Sequence, residues 1–86
     1  MIFVVESASV PGADRAAVEG DEYPLIEQLR NDGFFRDIFV RADGQGAISV
    51  VDAPSEQEVR DTLAKLPFVR AGVVRIASVV EVKSRW

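Results

Sequence analysis

The predicted strands of this chain are apolar on both of their faces. Ile2, Phe3, Val4 and Val5 follow one another without a polar residue. Adjacent apolar residues recur at Phe34/Phe35, Ile38/Phe39/Val40, Val50/Val51, Val73/Val74 and Val79/Val80. Because successive side chains of a strand point to opposite faces, a sheet built from these segments must cover both faces.

Strand and helix patterns alternate in an order that defines a topology. Apolar, β-branched segments predict strands at residues 2–6, 34–41, 47–51 and 73–82. Helical patterns lie at residues 15–32 and 55–66. The order β-α-β-β-α-β predicts a ferredoxin-like α+β fold with a four-stranded antiparallel sheet. Right-handed crossovers would place both helices on the same face.

Local signals mark the ends of these elements. Ser55 and Glu58 have the spacing of a capping box at the start of the second helix, and Pro67 is predicted to end that helix. Gly20 and Pro24 interrupt the first helical pattern, which predicts a kink or a fresh helix start near residues 21–24. Residues 43–46, which are Asp-Gly-Gln-Gly, predict a hairpin connection.

Composition excludes several classes of function. The 86 residues correspond to a single domain, 1–86, with no cysteine and no histidine. This inventory argues against a metal site or a Ser-His-Asp triad, and no cofactor is expected. The net charge of −4, without a basic segment, argues against nucleic-acid binding. No apolar stretch is long enough to span a membrane, and a cytoplasmic location is expected.

The doubly apolar sheet predicts self-association. Two helices cover only one face, so the other would remain an exposed apolar patch. The same face of a second copy, packed sheet to sheet around a two-fold axis, would cover it. We therefore expect a homodimer or a higher homo-oligomer. The alternative is a monomer in which sheet twist and long side chains cover that face.

Three stretches resemble the muconolactone isomerase-like proteins of the dimeric α/β-barrel superfamily. They are Phe3-Val4-Val5-Glu6, residues 29–36 with Gly33, and residues 48–68 with Asp52, Ser55, Glu58 and Leu66-Pro67-Phe68. The resemblance implies face-to-face sheets, a small and partly apolar pocket, and cofactor-free proton transfer of the kind muconolactone isomerase performs on a carboxylated lactone. The chain departs from that family at Gly20 and Pro24, in the charges around the second strand, and in its short tail after Val82.

Glu6 and Tyr23 are the candidate catalytic residues. Glu6 ends the predicted first strand, where loss of solvent would favour the neutral acid and suit proton transfer. The alternative is a strand-end carboxylate in water or paired with an arginine. Tyr23 adjoins Pro24, and its phenol is a candidate to orient a substrate oxygen. The alternative is a packed ring with its hydroxyl in water.

Five further residues are candidates for substrate binding: Arg36, Asp37, Ser49, Arg70 and Arg75. Arginine binds carboxylates through paired hydrogen bonds. The adjacent Arg36 and Asp37 should point to opposite faces, one to a pocket and the other to a dimer seam. The alternative is a set of ion pairs between strands or subunits. Trp86 is either an aromatic anchor on a neighbour or a tail residue.

The preferred function is a small cofactor-free isomerase or cyclase acting on a small oxygenated or carboxylated organic molecule. A non-catalytic module, either a small-molecule-binding subunit or a structural partner, is the alternative. A cofactor-free monooxygenase is a third reading, disfavoured by a chain with one tyrosine, one tryptophan and no histidine. The enzyme reading requires a concave site of roughly 300 Å³ or more with converging polar groups.

Overall fold

The computed structural model describes residues 1–85 and contains seven elements in this part of the chain. Trp86 lies outside the described residues. The elements are β1 (Ile2–Ser9), α1 (Glu19–Asn31), β2 (Phe35–Val40), β3 (Gly46–Asp52), α2 (Glu56–Leu63), α3 (Pro67–Arg70) and β4 (Val74–Val82). None of the helices in residues 1–85 is long and apolar enough to cross a membrane.

The strands form one antiparallel sheet in the order β2-β3-β1-β4. This arrangement confirms the predicted ferredoxin-like topology. The core lies between the helices and one face of the sheet, where Phe3 and Val5 of β1 and Val51 of β3 pack against Val59 and Leu63 of α2. The apolar side chains that recur at helical spacing on α2 therefore pack on one face of the sheet. Every second residue of the central strands points to that face.

The first strand is longer than predicted, and Glu6 does not end it. β1 continues to Ser9 because Ser7 and Ala8 pair with β3 on one side and with β4 on the other. Two ladders hold the backbone of this central strand extended although its last residues are small and polar, so tertiary pairing overrides local propensity. Glu6 consequently lies in the middle of the strand, opposite Ile48 and Ser78.

The first helix begins at Glu19 rather than at Arg15, close to the fresh start predicted near residues 21–24. Residues 15–18 form turns, one of which is closed by a hydrogen bond from the Val18 N–H to the Arg15 carbonyl. No second helix start occurs at Pro24, which lies inside α1. Proline there removes one backbone donor, and the helix continues to Asn31.

The capping prediction at Ser55 is confirmed, whereas the role predicted for Pro67 is wrong. The Ser55 hydroxyl accepts a 3.2 Å hydrogen bond from the Glu58 N–H. The second helix already ends at Leu63, and Pro67 begins the additional short helix α3 at its first position. Proline fits there because the first turn of a helix leaves its N–H groups unpaired.

The face of the sheet turned away from the helices is largely apolar, although Glu6, Asp37, Arg75 and Ser78 also lie on it. The register places on it residues that alternate with the core positions: Ile2, Val4, Glu6, Phe39, Ile48, Val50, Val80 and Val82. We call this surface the open face. Phe39 and Val80 are 57% and 53% exposed, so large apolar side chains on the open face lie in solvent.

Candidate functional site

A cavity of about 200 Å³ lies between the helices and the sheet. Most of its lining is apolar, from Val5, Ile26, Leu63 and Ile76 among others. Its polar lining groups come from Ser7, Ser9 and Ser49 of the sheet and from Arg15, Glu22 and Tyr23. The volume is below the roughly 300 Å³ that the enzyme reading was expected to require, although several polar groups converge on the cavity, so that requirement is met only in part.

Glu22 is the buried acid of this cavity. It is 2% exposed and lies on the same side of α1 as Ile26 and Leu29, which pack on the core. Its Oε1 accepts a 2.9 Å hydrogen bond from the backbone N–H of Phe68. Burial raises the pKa of the Glu22 carboxyl above its ordinary value, while the Phe68 hydrogen bond and the charge of Arg15 act in the opposite direction. The carboxyl group is thus brought nearer to the range useful for exchanging a proton.

Phe68 connects the charged and aromatic groups around Glu22. The Arg15 guanidinium lies 4.7 Å from the centre of the Phe68 ring, and the Tyr23 ring meets the same ring edge-on at 6.2 Å. The Tyr23 hydroxyl donates to Oε1 of Glu19 over 3.3 Å. One buried ring on α3 therefore contacts two polar side chains, one from the start of α1 and one from the turn before it.

Hydroxyl groups of the sheet form the opposite polar wall. The Ser7 hydroxyl accepts a 3.2 Å hydrogen bond from the Ala47 N–H, which ties β1 to β3. Ser49 is buried, and within residues 1–85 its hydroxyl makes no hydrogen bond. The Ser49 hydroxyl is therefore available to a molecule in the cavity.

The residues predicted from sequence are distributed over three places. Tyr23 and Ser49 line the cavity. Arg36 and Asp37 lie instead in an outer groove between α1 and β2, of about 440 Å³, which shares Tyr23 with the cavity. Arg36 also forms a 3.5 Å ion pair with Asp52, in line with the alternative considered for it.

Glu6, Arg75 and Arg70 lie apart from the cavity. Glu6 and Arg75 are exposed, and the register places both on the face turned away from the helices, with Arg75 opposite Ala8. Arg70 is exposed at the end of α3 and does not line the cavity. The structure thus brings Tyr23 and Ser49 together and separates them from Glu6. The roles predicted for these residues stay predictions.

Sequence reasoning missed Glu22, although a signal for it was present. Glu22, Ile26 and Leu29 are spaced i, i+4, i+7, so the acid occupies a position of the apolar stripe. A carboxylate in phase with a buried stripe has to be paired or neutral, which makes it a candidate functional group. Gly20 and Pro24 flank Glu22 and interrupt the helical pattern, which obscures this stripe in the sequence.

The fold and the cavity together define a class: small ferredoxin-like proteins that enclose a ligand-sized space between helices and sheet. Within that class, the chain belongs to the muconolactone delta-isomerase family, whose family model matches residues 1–84. The family resemblance predicted from the sequence is therefore confirmed.

Solved structures agree with this assignment. A crystal structure of muconolactone isomerase at 3.3 Å resolution superposes with a TM-score of 0.78 at 26% identity, covering 99% of this chain and 91% of that one. The 5-chloro-2-hydroxyhydroquinone dehydrochlorinase of Burkholderia phenoliruptrix, in complex with 2,5-dihydroxybenzoquinone, gives a TM-score of 0.74 at 20% identity, covering 98% and 94%. The second likeness concerns the fold alone. No curated protein matches the chain in sequence.

Proposed function

We propose that this protein is a cofactor-free isomerase that transfers a proton on a small unsaturated lactone or a related cyclic carbonyl compound. The observation that carries the proposal is the buried carboxyl group of Glu22 on the wall of an apolar cavity. Membership of the muconolactone delta-isomerase family supports the same reaction class.

In the proposed reaction, Glu22 is the proton carrier. In an α,β-unsaturated lactone, the Glu22 carboxylate removes a proton from the saturated γ carbon, the C–H electron pair forms the new double bond, and the electron pair of the original double bond moves toward the carbonyl oxygen. The carbon next to the carbonyl group then takes the returned proton, which regenerates the Glu22 carboxylate. The negative charge that develops on the carbonyl oxygen requires a hydrogen-bond donor, and the Ser49 hydroxyl is free to provide one.

The competing function is a non-catalytic small-molecule-binding module. It is favoured by the modest size of the cavity, about 200 Å³, and by the hydrogen bond that gives Glu22 a structural role. The two functions require different properties of the Glu22 side chain. A binding module needs only an acceptor for the Phe68 N–H, whereas an isomerase needs a group that ionises.

Glu22→Gln separates these functions, because glutamine can still accept from the Phe68 N–H but cannot take up a proton. With muconolactone as the test substrate, isomerisation and deuterium uptake from heavy water would be followed together. We expect Glu22→Gln to lower kcat by about a hundredfold or more. Asp21→Asn is the matched control, since Asp21 is the exposed neighbour of Glu22 on α1.

The outcomes decide the assignment. Equal turnover by Glu22→Gln and wild type would remove Glu22 from the mechanism. Loss of turnover in Glu6→Gln alone would restore the role predicted for Glu6. A wild-type protein that neither isomerises the lactone nor exchanges its protons would contradict the isomerase proposal.

We also propose that the working form is a homodimer or a larger homo-oligomer joined through the open face. Phe39, Ile48, Val80 and Val82 are exposed there in the single chain. Burying such a surface is favourable by about 25 cal/mol per Å² before the costs of association are counted.

A further inference from the structure

The cavity and the outer groove share part of their walls. The cavity, of about 200 Å³, and the groove, of about 440 Å³, are both bordered by Tyr23, Ile26, Phe35 and Ile38. A side chain that borders both spaces forms part of the wall between them. Phe35 belongs to the buried core and Ile26 packs against that core, so packing fixes both. Tyr23 is 51% exposed and is the largest side chain of this wall outside the core.

The Tyr23 ring is held in the wall by two contacts. Its hydroxyl donates to Oε1 of Glu19 over 3.3 Å, and its ring meets the Phe68 ring edge-on with 6.2 Å between the ring centres. The hydrogen bond joins exposed groups on the surface of α1, where such bonds contribute little to stability. The ring therefore has a defined place in the wall without being part of the core packing.

The backbone that carries Tyr23 is also held by fewer bonds than a regular helix start. Pro24 lies inside α1 and has no N–H to donate to the Gly20 carbonyl four residues earlier. Val18 occupies the N-cap position, and valine has no side-chain oxygen that could accept from the first turn. A change at Tyr23 can therefore alter the wall while the sheet and α2 keep their packing.

We propose that Tyr23 determines substrate specificity by closing the cavity toward the outer groove, which limits the length of the substituent that a bound ring can carry. The proposal deepens the proposed function and rests on it for the class of ligand, a small lactone. Removing the Tyr23 ring would join the two spaces. Ile26, Phe35 and Ile38 border both of them, so an apolar tail that leaves the cavity would stay on apolar side chains.

The test uses two saturated lactones, which carry no double bond to isomerise. γ-Valerolactone carries a methyl substituent and γ-nonalactone a pentyl substituent on the same ring. Binding to each protein would be measured by NMR titration. Wild type should bind γ-nonalactone no more tightly than γ-valerolactone, because the longer tail meets Tyr23. Tyr23→Ala should strengthen γ-nonalactone binding by about 10- to 100-fold, since four more CH₂ groups are buried, and should change γ-valerolactone binding less.

Two further substitutions grade the effect of size at the same position. Tyr23→Phe keeps the ring and removes only the hydroxyl, so the size limit should remain. Tyr23→Leu should give a shift between those of phenylalanine and alanine, and it also serves as the test if the alanine variant does not fold. Thermal unfolding shows whether each variant is folded.

Arg30→Ala is the matched control, since Arg30 is an exposed residue of α1 that lines the outer groove but not the cavity. An equal shift in Arg30→Ala and Tyr23→Ala would overturn the proposal. So would an equal shift in Tyr23→Phe, which would assign the effect to the hydroxyl. A wild type that already prefers γ-nonalactone by the full hydrophobic gain, or proteins that bind neither lactone, would overturn it as well.

Turnover of muconolactone separates this proposal from the isomerase assignment. A change of length preference in Tyr23→Ala, found in a protein that does not isomerise muconolactone, would contradict the isomerase and support the role of Tyr23. Isomerisation by wild type together with an unchanged length preference in Tyr23→Ala would support the isomerase and overturn the role of Tyr23.

Discussion

The backbone N–H of Phe68 donates a 2.9 Å hydrogen bond to Oε1 of Glu22, across a separation of 46 residues. This bond joins α3 to α1 above the cavity and satisfies a donor in the first turn of α3, where helical N–H groups have no partner of their own. The same carboxyl group that is proposed to move a proton thus also holds the two helices together.

Glu22→Ala should destabilise the fold more than Glu22→Gln does. Alanine leaves the buried Phe68 N–H without an acceptor, which costs about 1–3 kcal/mol. Glutamine keeps an acceptor and removes a buried charge, so its stability at neutral pH should equal or exceed that of wild type. Urea unfolding of both variants measures the difference. Equal losses would show that the Phe68 hydrogen bond contributes little.

The stability of wild type relative to Glu22→Gln should depend on pH. Burial raises the folded-state pKa of Glu22 above the ordinary 4.5, so the folded state holds this proton more tightly than the unfolded state. The resulting stabilisation is fully present below pH 4.5 and is lost as the pH rises through the folded-state pKa. Unfolding free energies across this range would measure it. A difference between the two proteins that does not change with pH would contradict the pKa direction.

Phe39→Asp should dissociate the proposed oligomer and leave the single chain folded. Phe39 lies on the open face and is 57% exposed, so the change removes little core packing. A carboxylate within an apolar interface would be costly to bury. Sedimentation velocity measures the result, with the exposed Ala16→Asp on the helix side as control. Unchanged assembly in both variants would place the interface elsewhere.

Two glycine substitutions should have opposite effects on stability. Gly46 has φ of 151°, and a Cβ there would lie 2.0 Å from the Ser7 carbonyl oxygen, where β3 pairs with β1. Gly46→Ala should therefore destabilise by about 2–4 kcal/mol. Gly20 lies in α1 with no atom near its Cβ position, so Gly20→Ala should stabilise by about 0.5–1 kcal/mol. Thermal and urea unfolding would measure both, and a neutral Gly46→Ala would contradict the close approach.

The order of the elements was predictable because it depends on local patterns. The apolar segments, the Ser55 cap and the hairpin at residues 43–46 each indicate their element from neighbouring residues. The extension of β1 to Ser9 was not predictable in this way, since two partner strands impose it. The start of α3 at Pro67 was missed because a proline that ends one helix and one that begins another look alike in sequence.

The candidate site was only partly predictable. Tyr23 and Ser49 were identified and line the cavity. Glu6 was predicted as the acid because it follows an apolar strand segment, whereas Glu22 lies in an interrupted helical pattern and was not identified. The face on which Glu6 lies depends on the register of three strands, and the burial of Glu22 depends on the packing of α3. Neither relationship is local in the sequence.

The segment from Arg15 to Tyr23 has a consequence for how this family can diversify. It carries Arg15, Glu22 and Tyr23, whereas the sheet contributes to the cavity only small hydroxyls and an apolar floor. The charged and phenolic groups of the cavity wall therefore come from one short, contiguous segment. Under the proposed function, exchanging residues 15–23 between homologues should change which compounds the cavity accepts.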